Sequence, residues 1–202
     1  SHSLQRLLQR TIPPHLFNIS LGQPLLEHPL VAHAIQWLSL DKQTITNYQA
    51  RLLLHSSSLT GSQAEFAART DAMQNCKILQ ESVISFSCWI KAIRESAPHL
   101  AELLHTVADY PLEASPQEWA HMFKTRLIHL GFPGDYPLIS SAYQCFQRFM
   151  MLFDELLQLS VVSPRMNMSQ ALEALYGLAK STIFQPQTPT TPIQILGLLE
   201  AS

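Results

Sequence analysis

The fold is decided by Ser115-Pro116-Gln117-Glu118-Trp119-Ala120-His121-Met122-Phe123-Lys124-Thr125-Arg126-Leu127-Ile128-His129-Leu130-Gly131. Serine followed three residues later by glutamate is the spacing of a capping box. The serine hydroxyl takes a free backbone N–H, and the glutamate reaches back to the cap. Proline at the first helical position presets the backbone angle. Trp119, Phe123, Leu127 and Leu130 then supply an apolar stripe at helical spacing, and Gly131 ends the helix. The following Gly131-Phe132-Pro133-Gly134-Asp135 is a turn by composition.

The same signals recur on both sides. On the N-terminal side, a helix is expected from Pro29 through Leu30, Ile35, Trp37, Leu38 and Leu40. Thr44 is expected to cap a second, through Tyr48, Leu52 and Leu53. Ser62-Gln63-Ala64-Glu65 has capping-box spacing and predicts a third, ending near Asn75. Leu79, Val83, Phe86, Trp89, Ile90 and Ile93 read as one stripe of a fourth, and Pro98 opens a fifth through Leu100, Leu103, Leu104 and Val107. On the C-terminal side, Ser140 or Ser141 is expected to cap a long helix through Tyr143, Phe146, Phe149, Phe153, Leu156 and Leu157. Ser169 is expected to cap the last, through Leu172, Leu175 and Leu178. Residues 3–11 read as a further short helix stopped by Pro13-Pro14. The expectation is an all-α bundle of about eight helices, with short extended segments near residues 17–20 and 193–199. It divides into an incoming segment 1–28, a helical domain 29–182, and a tail 183–202. That tail joins a stiff linker, with Pro186, Pro189 and Pro192, to a terminal strand.

The terminal Ile193-Gln194-Ile195-Leu196-Gly197-Leu198-Leu199 reads as a buried strand. A lone strand cannot satisfy its own backbone hydrogen bonds. Phe17–Ile19 is one available edge, and further strands are expected beyond Ser202. The chain is therefore read as a segment of a larger protein.

Composition narrows the function. Of 202 residues, 47% are hydrophobic and 14% charged, against about 25% charged in an average domain. So charge-poor a surface fits one that is partly covered, and equally a helical domain rich in Gln, Ser and Thr. Net charge is −2, without the basic excess of a free-standing nucleic-acid binder. There is no apolar run long enough for a membrane span and no signal-peptide pattern. Cys76, Cys88 and Cys145 are odd in number and far apart, which fits reduced thiols in a cytoplasmic protein.

The search for catalytic chemistry is mostly negative. Gly177-Leu178-Ala179-Lys180-Ser181-Thr182 lacks the glycine before lysine that a phosphate-binding loop needs, and it lies at a helix end. The lysine there complements the helix dipole. His28 and His33, His99 and His105, and His121 and His129 miss the spacing of three or four that pairs ligands on one helix face. Asp154 and Glu155 are adjacent on a helix and point in different directions. A magnesium nuclease needs acidic residues and a lysine converging on metal and water, and no Glu-x-Lys triplet is present. No Gly-x-Ser-x-Gly elbow occurs. Trp37, Trp89, Trp119, Phe123 and Phe153 lie at core spacing, which favours packing over base stacking. The expectation is no catalytic residue, no metal, no cofactor and no small-molecule substrate.

Four stretches carry a resemblance. Phe184-Gln185-Pro186-Gln187-Thr188, followed by Pro192-Ile193-Gln194-Ile195-Leu196-Gly197-Leu198-Leu199-Glu200-Ala201, resembles a segment of AddB-like and RecB-like proteins. These are DNA repair proteins with a C-terminal PD-(D/E)XK nuclease. Their "VQVLGLLEA" stretch is similar to motif V of superfamily 1 helicases such as UvrD. Phe17 through Leu25, with His28-Pro29-Leu30, looks like the family segment entering this region. Leu52-Leu53-Leu54-His55-Ser56 with Gly61, Glu65 and Arg69 is similar to its "LLRSPF…G…E…RA" pattern. Trp119, Gly131-Phe132-Pro133-Gly134, Leu138, Ser140 and Gln144 resemble "W…GWPG…L.S..Q". Phenylalanine stands where the glycine loop usually has tryptophan, and serines replace Pro-Phe after Ser56.

The resemblance implies the helical insertion between two strands of a helicase-like motor domain, the place called 2B in helicases. It implies a non-catalytic module of a DNA-end-processing protein that scaffolds, guides DNA or contacts a partner helicase–nuclease subunit. DNA is then the partner, through the parent protein. If the module touches DNA, Arg51, Arg69, Lys77, Lys91 and Arg94 are the candidate contacts; the plainer reading, which the missing basic excess favours, is that they are ordinary solvated charges. The alternative is a helical protein–protein adaptor with no nucleic-acid role, whose binding would be insensitive to salt.

Overall fold

The computed structural model describes residues 17–20, 22–161, 163–186 and 193–196. The expected helix at 3–11 lies outside these residues, as does most of the proline linker and the last part of the terminal strand. Eight α-helices are present among the described residues: α1 (Pro29–Leu38), α2 (Asn47–His55), α3 (Ser62–Asn75), α4 (Phe86–Ile93), α5 (Pro98–Thr106), α6 (Pro116–His129), α7 (Ser140–Leu157) and α8 (Met168–Ser181). The extended segments are β1 (Phe17–Ser20), β2 (Gln23–Pro24), β3 (Thr44–Thr46), β4 (Val83–Ser85), β5 (Ile183–Phe184) and β6 (Ile193–Leu196). They form three two-stranded ribbons. The protein is a multi-helix, all-α fold.

Helix α6 is central, and it forms as its sequence dictates. Ser115 Oγ accepts from the Glu118 N–H at 3.3 Å, while Glu118 Oε2 accepts from the Ser115 N–H at 2.8 Å. Trp119, Phe123, Leu127 and Leu130 are all buried. They pack the helix against α1, α7 and α8. The Trp119 indole N–H donates to the Met166 carbonyl at 2.8 Å, so the ring's polar edge is satisfied inside the core. Ala114 and Met166 exchange two backbone hydrogen bonds, at 3.0 and 2.9 Å. That bridge ties the segment before α6 to the segment before α8.

A second layer is built from two strand-to-helix units. β3 leads into α2, and β4 leads into α4. The strands pair antiparallel, with Ile45 opposite Ile84. Both isoleucines are buried, while their neighbours Thr44, Thr46 and Val83 face out. This alternation is that of a half-buried strand. Helix α2 packs on α3 and α4 on α5.

Several helix starts differ from the expectation. Thr44 belongs to β3; the cap of α2 is Thr46, which forms a capping box with Gln49. The stripe from Leu79 to Ile93 is not one helix. Residues Lys77–Gln80 make a 3-10 turn, Val83–Ser85 a strand, and only Phe86–Ile93 an α-helix. Alternation in β4 and helical spacing in α4 merge into one apparent period. Neither Ser140 nor Ser141 caps α7; Ile139 holds that position without a side-chain bond. Asn167, not Ser169, caps α8, in a capping box with Gln170.

Ser62 and Glu65 do not form a capping box. Gly61 is the cap of α3, with φ 74°. The Ser62 hydroxyl donates to the Ser57 carbonyl instead. Glu65 is buried and turned toward α5. Its carboxylate accepts from the backbone N–H groups of His99 at 2.6 Å and Leu100 at 3.4 Å. A carboxylate at a helix N-terminus satisfies free N–H groups and complements the dipole, so Glu65 caps a different helix from its own.

At the base, β2 pairs antiparallel with β5, and β1 pairs parallel with β6. Phe17 stands opposite Ile193 and Ser20 opposite Leu196. Leu25 and Phe184, on either side of this neck, are buried with the helical core.

Candidate nucleic-acid interface

The five basic residues singled out from sequence occupy three kinds of place. Arg69 is 1% exposed. Its Nε and Nη2 both donate to Glu65 Oε2, at 2.9 and 2.7 Å, and Nη2 also reaches the Thr60 carbonyl at 3.3 Å. Held there, it has no route to a phosphate. Arg51 is half-buried and spent on structure. It donates to Asn47 Oδ1, to the Met73 carbonyl and to the Leu79 carbonyl. It staples α2 to the end of α3 and to the turn that follows. Asn47 Nδ2 donates to the same Leu79 carbonyl. Lys77 is exposed on that turn.

Lys91 and Arg94 are the two that the fold brings together. They lie three apart on the last turn of α4 and just beyond it, both exposed. They line a cleft of about 270 Å³ with Lys42, His105, Phe86, Ser87, Ile90 and Leu104. Lys42 comes from the loop before β3 and His105 from α5. The floor is apolar, since Phe86, Ile90 and Leu104 are buried. The rim carries three cations and one imidazole, and among the described residues no carboxylate lines it. Lys42 approaches Asp109 at 3.4 Å across exposed surface, a contact worth under about 1 kcal/mol. Sequence reasoning missed Lys42 and His105, because each is distant in the chain from α4 and neither sits in a motif.

A larger groove runs along α6. One part, about 310 Å³, is lined by residues of 106–110 and by His121, Met122, Thr125, Arg126 and His129. The next, about 660 Å³, adds Glu113, Glu118 and Arg165. Its charged groups are already committed. Arg126 is 6% exposed and donates to the carbonyls of Leu38, Leu40 and Ala108. Its guanidinium lies 3.5 Å from the Tyr110 ring centroid, close enough for cation–π attraction. Burial pushes the Tyr110 phenol up and lowers the Arg126 guanidinium from its ordinary value. Glu118, held below the usual carboxylate range by its Ser115 bonds, belongs to the α6 cap. Arg165 pairs with Glu113 at 3.7 Å.

The histidines do not gather. Among the described residues no three His, Cys, Asp or Glu side chains are placed to hold a metal ion. His28 sits at the cap of α1 with its ring edge on Phe184. Burial lowers His28 and His33 from their ordinary value. Burial pushes the Cys145 thiol up to about 11. No helix among the described residues is long and apolar enough to cross a membrane.

Two of the stretches that carried the family resemblance meet in space. Loop 56–61 packs on the Gly131–Asp135 turn. The Thr60 N–H donates to the Leu130 carbonyl at 3.1 Å, and the Thr60 hydroxyl donates to Asp135 at 2.9 Å. Compared with known proteins, the chain matches no family model, no curated protein and no solved structure.

Proposed function

We propose that this chain is a non-catalytic helical module of a DNA-end-processing protein of the helicase–nuclease type. It would act by scaffolding, by guiding DNA, or by contact with a partner helicase–nuclease subunit. The observation that carries the reading is the parallel pairing of β1 with β6. Parallel strands occur almost only in sheets covered by other layers, and a two-stranded ribbon is marginal alone. A helical body that leaves and rejoins adjacent parallel strands has the topology of an insertion into a larger parallel sheet. That is where the resemblance to the AddB-like and RecB-like proteins puts it, and those proteins process DNA ends.

The test is the reading frame on both sides of the segment. The expected result is continuation past Ser202 into another strand, and later an Asp…Glu-x-Lys nuclease pattern. A stop directly after Ser202 sinks the proposal.

One observation favours the adaptor instead. Helix α3 turns Glu65 and Arg69 inward and Ala64, Phe66, Ala67 and Ala68 outward. A helix that buries an ion pair and leaves four neighbouring apolar residues outside suits a face covered by another protein. Partner binding that ignores salt, with no DNA affinity at low salt, would favour that reading.

A further inference from the structure

We propose that the cleft between α4 and α5 is a phosphate-backbone site for a nucleic-acid strand, held by Lys91, Arg94, Lys42 and His105. The proposal rests on the DNA-processing reading above and assigns it a location.

Placement comes first. The chain as a whole is acidic, at −2, so a cleft lined by three cations, of which only Lys42 meets a carboxylate, that of Asp109 outside the lining, is a local reversal of the global charge. Glu95, beside Arg94, and Glu102, on α5, both stay outside the lining. An acid at helical spacing or on a neighbouring helix can pair with a surface cation, and Glu95 stands four residues from Lys91. Lys124 pairs with Asp154 across two helices, and Arg148 with Glu155 two turns along α7. Among the described residues Lys91 and Arg94 have no ion pair.

Shape comes next. Residues three apart on a helix have Cβ atoms about 5–6 Å apart, so Lys91 and Arg94 form a row rather than a point. Lys42 and His105 face them from two other elements. A row of donors from several elements suits a chain of phosphates better than one free anion. The buried floor of Phe86, Ile90 and Leu104 gives the long aliphatic stems something to lie on while their charged ends stay in water. Part of the ordering cost of binding is thereby met in advance.

The ligand class follows. Backbone contacts of this kind carry no base specificity and release counterions, so affinity falls steeply with salt. With two or three phosphates engaged, the log–log salt slope is about −1.5 to −2 for a single strand.

The test is fluorescence anisotropy of the whole chain with a labelled 30-nucleotide dT strand, from 20 to 200 mM NaCl. Wild type is expected to bind weakly with that slope. Lys91→Ala/Arg94→Ala is expected to weaken binding about tenfold or more and flatten the slope by about one to two. Lys77→Ala, an exposed lysine outside the cleft, is expected to leave both unchanged. Circular dichroism melts of the variants check the fold. Loss of binding in the Lys77→Ala protein equal to that in the double variant overturns the site, as does a double variant that binds like wild type. Displacement of the strand by millimolar inorganic phosphate at constant ionic strength also overturns it, by reducing the cleft to a single-anion pocket. Wild-type binding that survives the double variant removes the cleft alone. A reading frame that stops at Ser202 removes the larger reading.

Discussion

Glu65 and Arg69 show how one residue pair can serve three elements at once. The pair lies on α3, holds the Thr60 carbonyl of the preceding loop, and closes the N-terminus of α5. Replacing a buried pair with apolar groups can be nearly neutral, but removing one partner leaves an uncompensated buried charge. Glu65→Ala also strips the acceptor from two α5 N–H groups. It is expected to cost about 3–5 kcal/mol, read as a lower urea midpoint at unchanged slope. Glu65→Ala/Arg69→Met should recover part of that loss, which a double-mutant cycle measures. The histidines give a residue-scale pH prediction. His28 is lowered by burial, with Glu27 opposing, and His33 by burial and by His55, both from an ordinary value of 6.5. Between the lowered folded value and 6.5, the unfolded chain binds more protons than the folded one. Stability therefore rises with pH across that window and is lost as pH falls through it. The melting temperature should drop between pH 7 and 5.5. His33→Gln should flatten that drop, and an unchanged acid limb in this variant would count against the assignment.

At the scale of elements, caps decide where helices begin, and turns decide how the layers meet. Ser115→Ala removes one hydroxyl acceptor from the first turn of α6. It is expected to cost about 1 kcal/mol, or about 2–4 °C in a chain of this size. Gly134 is more constrained. Its φ is 101°, and an added Cβ would press into the Ser57 carbonyl. Gly134→Ala should cost about 2–3 kcal/mol from backbone strain and should pry loop 56–61 from the 131–135 turn. Faster hydrogen exchange at Thr60 would report that opening, and a Thr60 amide as protected as in wild type would contradict it. The same elements show what the sequence could and could not convey. Ser115-Pro116-Gln117-Glu118 was readable because its three signals are local and all agree. Ser62-Gln63-Ala64-Glu65 has the same spacing, yet Glu65 is drawn away by a partner more than thirty residues on. Local spacing cannot register that competition. Leu79 to Ile93 misled for another reason: a strand and a helix placed end to end can mimic a single period. The cleft was half legible. Lys91 and Arg94 share a helix end, whereas Lys42 and His105 join them only through the packing of α4 on α5.

For the whole molecule, the question is which parts make one cooperative body. The buried apolar core runs without interruption from Leu25 to Phe184. Arg126 reinforces it from within by joining carbonyls at and just after the end of α1 to the loop after α5. β2 and β5 close the base of this body, and the Leu25 N–H donates to the Thr182 carbonyl at 2.8 Å. β1 and β6 flank that neck in the sequence and pair with each other. If they belong to a larger sheet, the helical body should not depend on them. Residues 22–186 expressed alone should then keep the helical circular-dichroism signal and melt in one transition. The midpoint should lie within a few degrees of that of the full chain. If β1 and β6 are instead part of the body's own structure, the trimmed protein should lose several degrees and melt broadly. That result would remove the main support for an insertion and turn attention to the outward apolar face of α3. Hydrogen exchange sharpens the contrast. Amides of α6 should be protected to the same depth in both proteins, since its inward residues Trp119, Phe123 and Leu127 belong to the buried helical core. In the full chain, amides of β6 should exchange far faster than those of α6, because a two-stranded parallel ribbon is marginal without its neighbours. Equal protection of β6 and α6 would mean that the ribbon is already complete, and the case for a parent sheet would fail with it.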